Sequence, residues 1–228
     1  AGARDFLTKP PALDELTSAI HRAGNLAKEE NIKRASVVNG AAGFAANALA
    51  LGKIIVVYGP KGGIGVTTIA VNLAVALHNE ETPVCLVDGN LQFGDLAVFL
   101  NEQVRNSILD LAPRVDELDA EVVKNVLISN SQTGLSLLPS PARPEYADNV
   151  SGEQYSKTLK FLRTMFSYVI VDASTILTDV VLGALDSADL VVLITTQEIP
   201  SIKNARLFLD LAEALGISRK QLVFVMNR

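Results

Sequence analysis

Six short apolar runs recur along the chain from Lys53 onward: "KIIVVYG", "PVCLVD", "LSLLP", "YVIVDA", "LVVLITT" and "LVFVMN". They are almost wholly Val, Ile and Leu with no polar alternation, the composition of strands covered on both faces. Helical patterns separate most of them. This alternation leaves the chain few solutions, because parallel strands need long crossovers and those crossovers are right-handed. The expected fold is α/β, a doubly wound, mostly parallel sheet over residues 53 to 228. With 228 residues, 49% hydrophobic and 20% charged, the chain can bury a sizeable core. No apolar run reaches the roughly 18 residues of a membrane span, and "AGARDFLTKPPALDEL" has neither the basic nor the apolar region of a secretory signal. Cys85, the one cysteine, sits in "PVCLVD" and reads as a small buried hydrophobe. Nothing points to an oxidising compartment, so a cytoplasmic protein is expected. A net charge of -5 offers no general attraction for nucleic acid, and direct DNA binding is not expected.

The rest of the chain is organised around that region. Residues 1–32 run from a short apolar piece through "TKPP" into a helical pattern, with Leu16, Ile20, Ala23 and Ala27 on one face. Residues 33–52, "KRASVVNGAAGFAANALALG", read as a linker. The chain stops at Arg228 directly after an apparent core strand, as if trimmed at both ends. "RPEYADNVSGEQYSK" reads as a polar loop and "DELDAEVV" as a solvated helix face. His21 and His78 lie on separate helical patterns, in helix-end or solvated roles rather than as metal ligands.

One stretch carries chemistry. Between the strand "KIIVVY" and the helix pattern "VTTIAVNLAVALH", whose apolar stripe is Ile69, Leu73 and Leu77, lies "GPKGGIG". Strand, glycine loop and helix in that order are the context of a phosphate-binding P-loop. Gly62, Gly63 and Gly65 let successive N–H groups converge on an anion at the positive end of the helix dipole. Thr67 stands where a Mg²⁺-binding hydroxyl belongs, and Thr68 flanks the α-phosphate side. The usual pattern is Gly, four residues, then Gly-Lys-Ser/Thr; here Pro60 replaces the first glycine and Val66 the lysine.

"KGGIGVTTIAVNLA" resembles the deviant P-loop of the ParA/MinD superfamily, Lys-Gly-Gly-x-Gly-Lys-Thr-Thr, with Lys61 at the family's signature lysine. The resemblance extends over about residues 53 to 228. "LVDGNLQFGDLAVFL" is similar to the switch stretch, "YVIVDAS" to the Walker B strand, "ADLVVLITTQEIPSIKNARLFLDLAEALG" to the strand–helix unit that follows, and "FVMNR" to the adenine-reading strand. It implies ATP or ADP with Mg²⁺, held by Lys61, Gly62, Gly63, Ile64, Gly65, Val66, Thr67 and Thr68. Asn227 with Arg228 would lie at the base, and Thr67 and Asp172 at the metal. Lys61, Asp88 and Asp172 would be the catalytic set. It also implies a face-to-face homodimer in which Lys61 reaches the partner's phosphates. Within the superfamily the chain most resembles the CpaE/TadZ group of pilus-assembly localisation factors. The valine at position 66, "LQFGDLAVFL", and the N-terminal "GARDFLTKPPALDELTSAIHRA", similar to the end of a response-regulator receiver domain, carry that likeness. Its implied partners are pilus or secretion assembly proteins, with association at the cell pole or the inner face of the membrane.

Two departures bear on catalysis. Val66 removes a cation from the transferring phosphate, and Asp88-Gly89-Asn90 has an amide where the superfamily has a second carboxylate, which can hold a water but is no useful base. The expectation is nucleotide binding with weak or absent hydrolysis. An active partition or cell-division ATPase, and a response regulator with an ATPase-like output module, are the alternatives.

Overall fold

The computed structural model describes residues 51–228; the receiver-like segment and the linker up to residue 50 lie outside the described residues, as does His21. Seven strands form one sheet in the order β3-β4-β2-β5-β1-β6-β7. They are β1 (Lys53–Tyr58), β2 (Val84–Gly89), β3 (Ile128–Ser129), β4 (Ser136–Leu138), β5 (Tyr168–Ala173), β6 (Leu190–Thr196) and β7 (Leu222–Asn227). All pairings are parallel except β3 with β4, so the expected doubly wound sheet is present. All six apolar runs became strands. The two-residue β3 was missed, being too short to carry a pattern.

Helix α1 (Val66–Leu77) joins β1 to β2, and α2 (Leu96–Phe99) and α3 (Ala120–Val126) lie in the excursion before β3. Helix α4 (Gly152–Leu162) precedes β5, α5 (Asp179–Ser187) precedes β6, and α6 (Ile199–Ala214) precedes β7. The step from β1 to β2 and the step from β5 to β6 run in opposite directions across the sheet, so right-handed crossovers put α1 on one face and α5 on the other. Residue alternation along the strands follows. Ile54, Val56 and Tyr58 point into the core formed with Tyr155, Leu159, Val181 and Phe208 of α4, α5 and α6. Ile55, Val57, Leu86 and Ile170 have the opposite parity and lie under α1, whose buried stripe is Ala70, Leu73, Ala74 and Leu77. The half-buried Ile69 is not part of that stripe.

One sequence expectation is corrected. The "polar loop" is helical from Gly152, because Ser151 and Gln154 form a reciprocal capping box and Tyr155 and Leu159 supply a buried stripe inside a polar sequence. The run "DELDAEVV" is the expected solvated helix face: a 3₁₀ turn and then a capped helix, with Asp116, Glu117, Asp119, Ala120 and Glu121 exposed. Asp119 accepts from the N–H groups of Glu121 and Val122, both at 2.8 Å, and Val123 is buried. Cys85 is fully buried as expected, and burial pushes its thiol pKa well up. His78 caps the C-terminus of α1.

Helices α4 and α5 approach so closely that a Cβ at Gly183 would strike the Gly152 carbonyl oxygen. Gly183→Ala gains up to about 1 kcal/mol of helix propensity but overpacks a rigid backbone contact, which costs about 1–3 kcal/mol. The net expectation is a loss of about 1 kcal/mol, read as a lower denaturant midpoint at unchanged slope. A higher midpoint would contradict this packing.

Candidate functional site

The site begins where β1 ends. β1 lies between β5 and β6, so the loop after Tyr58 opens at the carboxyl edge of the sheet, where α/β folds place ligands. Gly63 has φ 74° and Gly65 φ 90°, backbone that disfavours side chains. Nothing lies within 4 Å of where a Cβ on Gly62 or Gly63 would stand, so the rim of the loop is open. At Gly65 a Cβ would meet Asn227 Nδ2 at 2.5 Å. That amide donates to the Ile64 carbonyl at 2.9 Å, so the end of β7 fixes the turn into α1.

The consequence is a row of free donors. The N–H groups of Gly62, Gly63, Gly65, Val66, Thr67 and Thr68 have no acceptor among the described residues, and the first closed bond is Ile69 N–H to Gly65 O at 3.0 Å. Val66 does not face this row. It is buried, its Cγ2 packed over Gly59 beneath the loop beside the buried Ile64. The pattern's lysine position is therefore apolar filling.

Beneath the loop, Asp88 and Asp172 end β2 and β5 and are direct register partners. Asp172 accepts from the Thr67 hydroxyl, so the structure brings the sequence-predicted metal pair together. Burial pushes Asp172 up to about 6; the Thr67 bond holds it down and the charge of Asp95 raises it. Asp88, only 2% exposed, is pushed up to about 7 by burial and then by the charge of Asp172. It accepts from the Asn90 N–H at 3.0 Å, the Leu96 N–H and the Ser140 hydroxyl. The donor set facing the cradle is all oxygen, the chemistry Mg²⁺ selects. No group of three or more His, Cys, Asp or Glu able to hold a metal occurs among the described residues.

The other predicted residues surround the loop. Lys61 is ion-paired with Glu198, just ahead of α6. Arg228 lines a cleft of about 310 Å³ with Lys61, Gly62, Gln197 and Glu198, whereas Asn227 is engaged by the loop itself. Asn90 points both ends of its amide at Phe93. Sequence reasoning missed Glu198, Ser140 and also Asn204, which donates from α6 to the Pro60 carbonyl at 3.0 Å. Only the fold brings Glu198 and Asn204 to the loop and Ser140 to Asp88.

A glycine loop leaving a central parallel strand, with a hydroxyl and a strand-end carboxylate beneath it, defines a P-loop nucleotide-binding fold. A family model described as an AAA domain matches residues 52–220, and the chain belongs to that family, on its ParA/MinD branch. Septum site-determining protein MinD of Thermotoga maritima is 28% identical over 180 residues, covering 78% of this chain and 65% of that protein. Its counterpart in Bacillus subtilis is 28% identical over 165 residues, covering 72% and 60%. This chain thus spans less than two thirds of the length of these relatives. A ParA family ATPase from Chlorobium tepidum TLS superposes with a TM-score of 0.72 at 28% identity, covering 77% of this chain and 74% of that one. MinD of Pyrococcus horikoshii OT3, solved with Mg-ADP, gives 0.62 at 22% identity with 76% and 74% covered, a likeness of fold.

Because both carboxyls are raised, the folded chain keeps their protons to higher pH than the unfolded chain does. Ligand-free stability from this pair is therefore greatest below the ordinary carboxylate range. It falls as pH rises from about 4 through the folded values of about 6 and about 7. Melting temperatures across that window should fall more steeply for the wild type than for Asp172→Asn. Equal slopes would contradict the assignment.

Proposed function

We propose that this chain binds ATP or ADP with Mg²⁺ at residues 61–68, hydrolyses it slowly or not at all, and works as a nucleotide-gated localisation or scaffold protein. The observation that supports this most is the row of free N–H groups from Gly62 to Thr68 above the Thr67–Asp172 pair. Thr67 and Asp172 would hold the Mg²⁺, and the ion would neutralise phosphate charge. The backbone donors and the α1 dipole bind the phosphates without a side-chain cation. Catalysis is weaker than binding, because one missing transition-state donor costs roughly 10²–10³ in rate. Val66 supplies none and the Asn90 amide is engaged elsewhere.

The pilus-assembly role of the CpaE/TadZ group, with pilus or secretion proteins as partners and polar or membrane-face placement, is carried by the valine at position 66 and the N-terminal receiver-like stretch. No helix among the described residues is long and apolar enough to cross a membrane. The second reading, an active ATPase, is favoured by the likeness to a ParA family ATPase and to MinD proteins. Calorimetry with ATP and Mg²⁺ should give saturable binding, weakened at least about tenfold in Gly65→Ala by strain and by the clash with Asn227. Phosphate release from the same samples should be near background. Absence of binding at millimolar nucleotide would overturn the proposal; vigorous turnover would select the active ATPase.

In the dimer implied by the family resemblance, Lys61 leaves Glu198 for the partner's phosphates. An exposed pair of this kind contributes at most about 1 kcal/mol, which a triphosphate charge easily offsets. Sedimentation should show a nucleotide-dependent dimer in the wild type and a monomer in Lys61→Ala. An oligomeric state indifferent to both changes would exclude a sandwich dimer.

A further inference from the structure

The stretch after β2 passes beside the cradle, and in many nucleotide-binding proteins such a segment is ordered only by the bound phosphate. Here the segment closes on itself. Asn90 Nδ2 donates to the Phe93 carbonyl at 2.8 Å, and the Phe93 N–H donates back to Asn90 Oδ1 at 3.3 Å. Asn90 N–H donates to Asp88 Oδ1 at 3.0 Å, and Leu96 N–H donates to the same carboxylate. Gly94 lies against Asp88 and Ser140 so closely that no Cβ would fit there. Leu91 and Leu96 are buried on either side of this turn, 5% and 0% exposed.

The choice of an amide at position 90 has a physical reason beyond the loss of a carboxylate. A carboxylate of the same size accepts from the Phe93 N–H but has no proton for the Phe93 carbonyl, and its second oxygen would face that carbonyl as like charge on like dipole. Only an amide satisfies both backbone groups of Phe93.

From this geometry we infer that Asn90 is a positioning residue that holds residues 90–96 in one conformation whether or not nucleotide is bound. The inference rests on nucleotide binding at the loop above, and it changes what Asn90 does there. The residue clips the stretch shut, so an aspartate at this position does not create a working base. It opens the stretch.

Hydrogen exchange of the amides from Phe93 to Leu96, followed in the intact chain with and without ATP and Mg²⁺, tests this. In the wild type these amides are slow without nucleotide and change less than about threefold when it is added. Losing one hydrogen bond of ordinary strength and adding a repulsion makes them exchange about tenfold faster in Asn90→Asp. Asn90→Ala, which removes both bonds without adding charge, accelerates them about as much. In both variants nucleotide restores part of the protection. Wild-type amides that become slow only after nucleotide is added, or variants that exchange like the wild type without it, overturn the inference. Calorimetry on the same samples separates the two claims. Missing nucleotide binding removes the function proposed above, whereas the comparison of wild type with variants in the absence of nucleotide still decides the clip.

Discussion

Two carboxylates side by side in a dry place are the constraint around which the carboxyl edge of this sheet is arranged. Asp88 and Asp172 are register partners on adjacent strands, and burial raises both. Such a pair is unfavourable unless something positive or proton-donating compensates it. The compensation is local: the Thr67 hydroxyl on Asp172, and two N–H groups and the Ser140 hydroxyl on Asp88. Directly above lies a loop whose N–H groups have no acceptor among the described residues. Unpaired donors over buried acceptors form a site that a magnesium-bound phosphate would complete from both sides.

That division of labour explains how the loop tolerates a valine where its pattern asks for lysine. Backbone donors are fixed by Gly63 and Gly65 in positive-φ conformations and by the Asn227 bond to Ile64, none of which depends on residue 66. Val66 instead closes the base of the loop against Gly59. A pocket built on backbone geometry can keep binding while losing transition-state charge, because the side-chain cation matters most as the terminal bond breaks. The front limb is held separately, through Asn204 on the Pro60 carbonyl and the Tyr58 ring against Phe208, with centroids 4.5 Å apart. The loop is thus tied to α6 as well as to α1.

Much of this is legible in the sequence. The strands announced themselves because burial on both faces leaves no room for polar alternation, and the loop because only glycines permit its backbone. Thr67 and Asp172 lie at positions that the motif and the strand end fix within a few residues, which is why the sequence can name them. What stayed hidden depends on long-range placement or on a polar disguise. Helix α4 has the composition of a loop, and its capping box and Tyr155–Leu159 stripe were overlooked. Glu198 lies 137 residues from Lys61, and only the adjacency of β1 and β6 brings them together. Asn90 was read as a failed carboxylate because the sequence shows which group is missing, not which backbone atoms the amide found instead.

The central claim is that the phosphate is held by backbone rather than by a lysine. Amide resonances of residues 62–68, followed by NMR during titration with ATP and Mg²⁺, test it directly. The account predicts large, saturable shifts at Gly62, Gly63, Gly65, Val66, Thr67 and Thr68, which persist in Lys61→Ala. Shifts that vanish with Lys61, or resonances that stay still at saturating nucleotide, would contradict it.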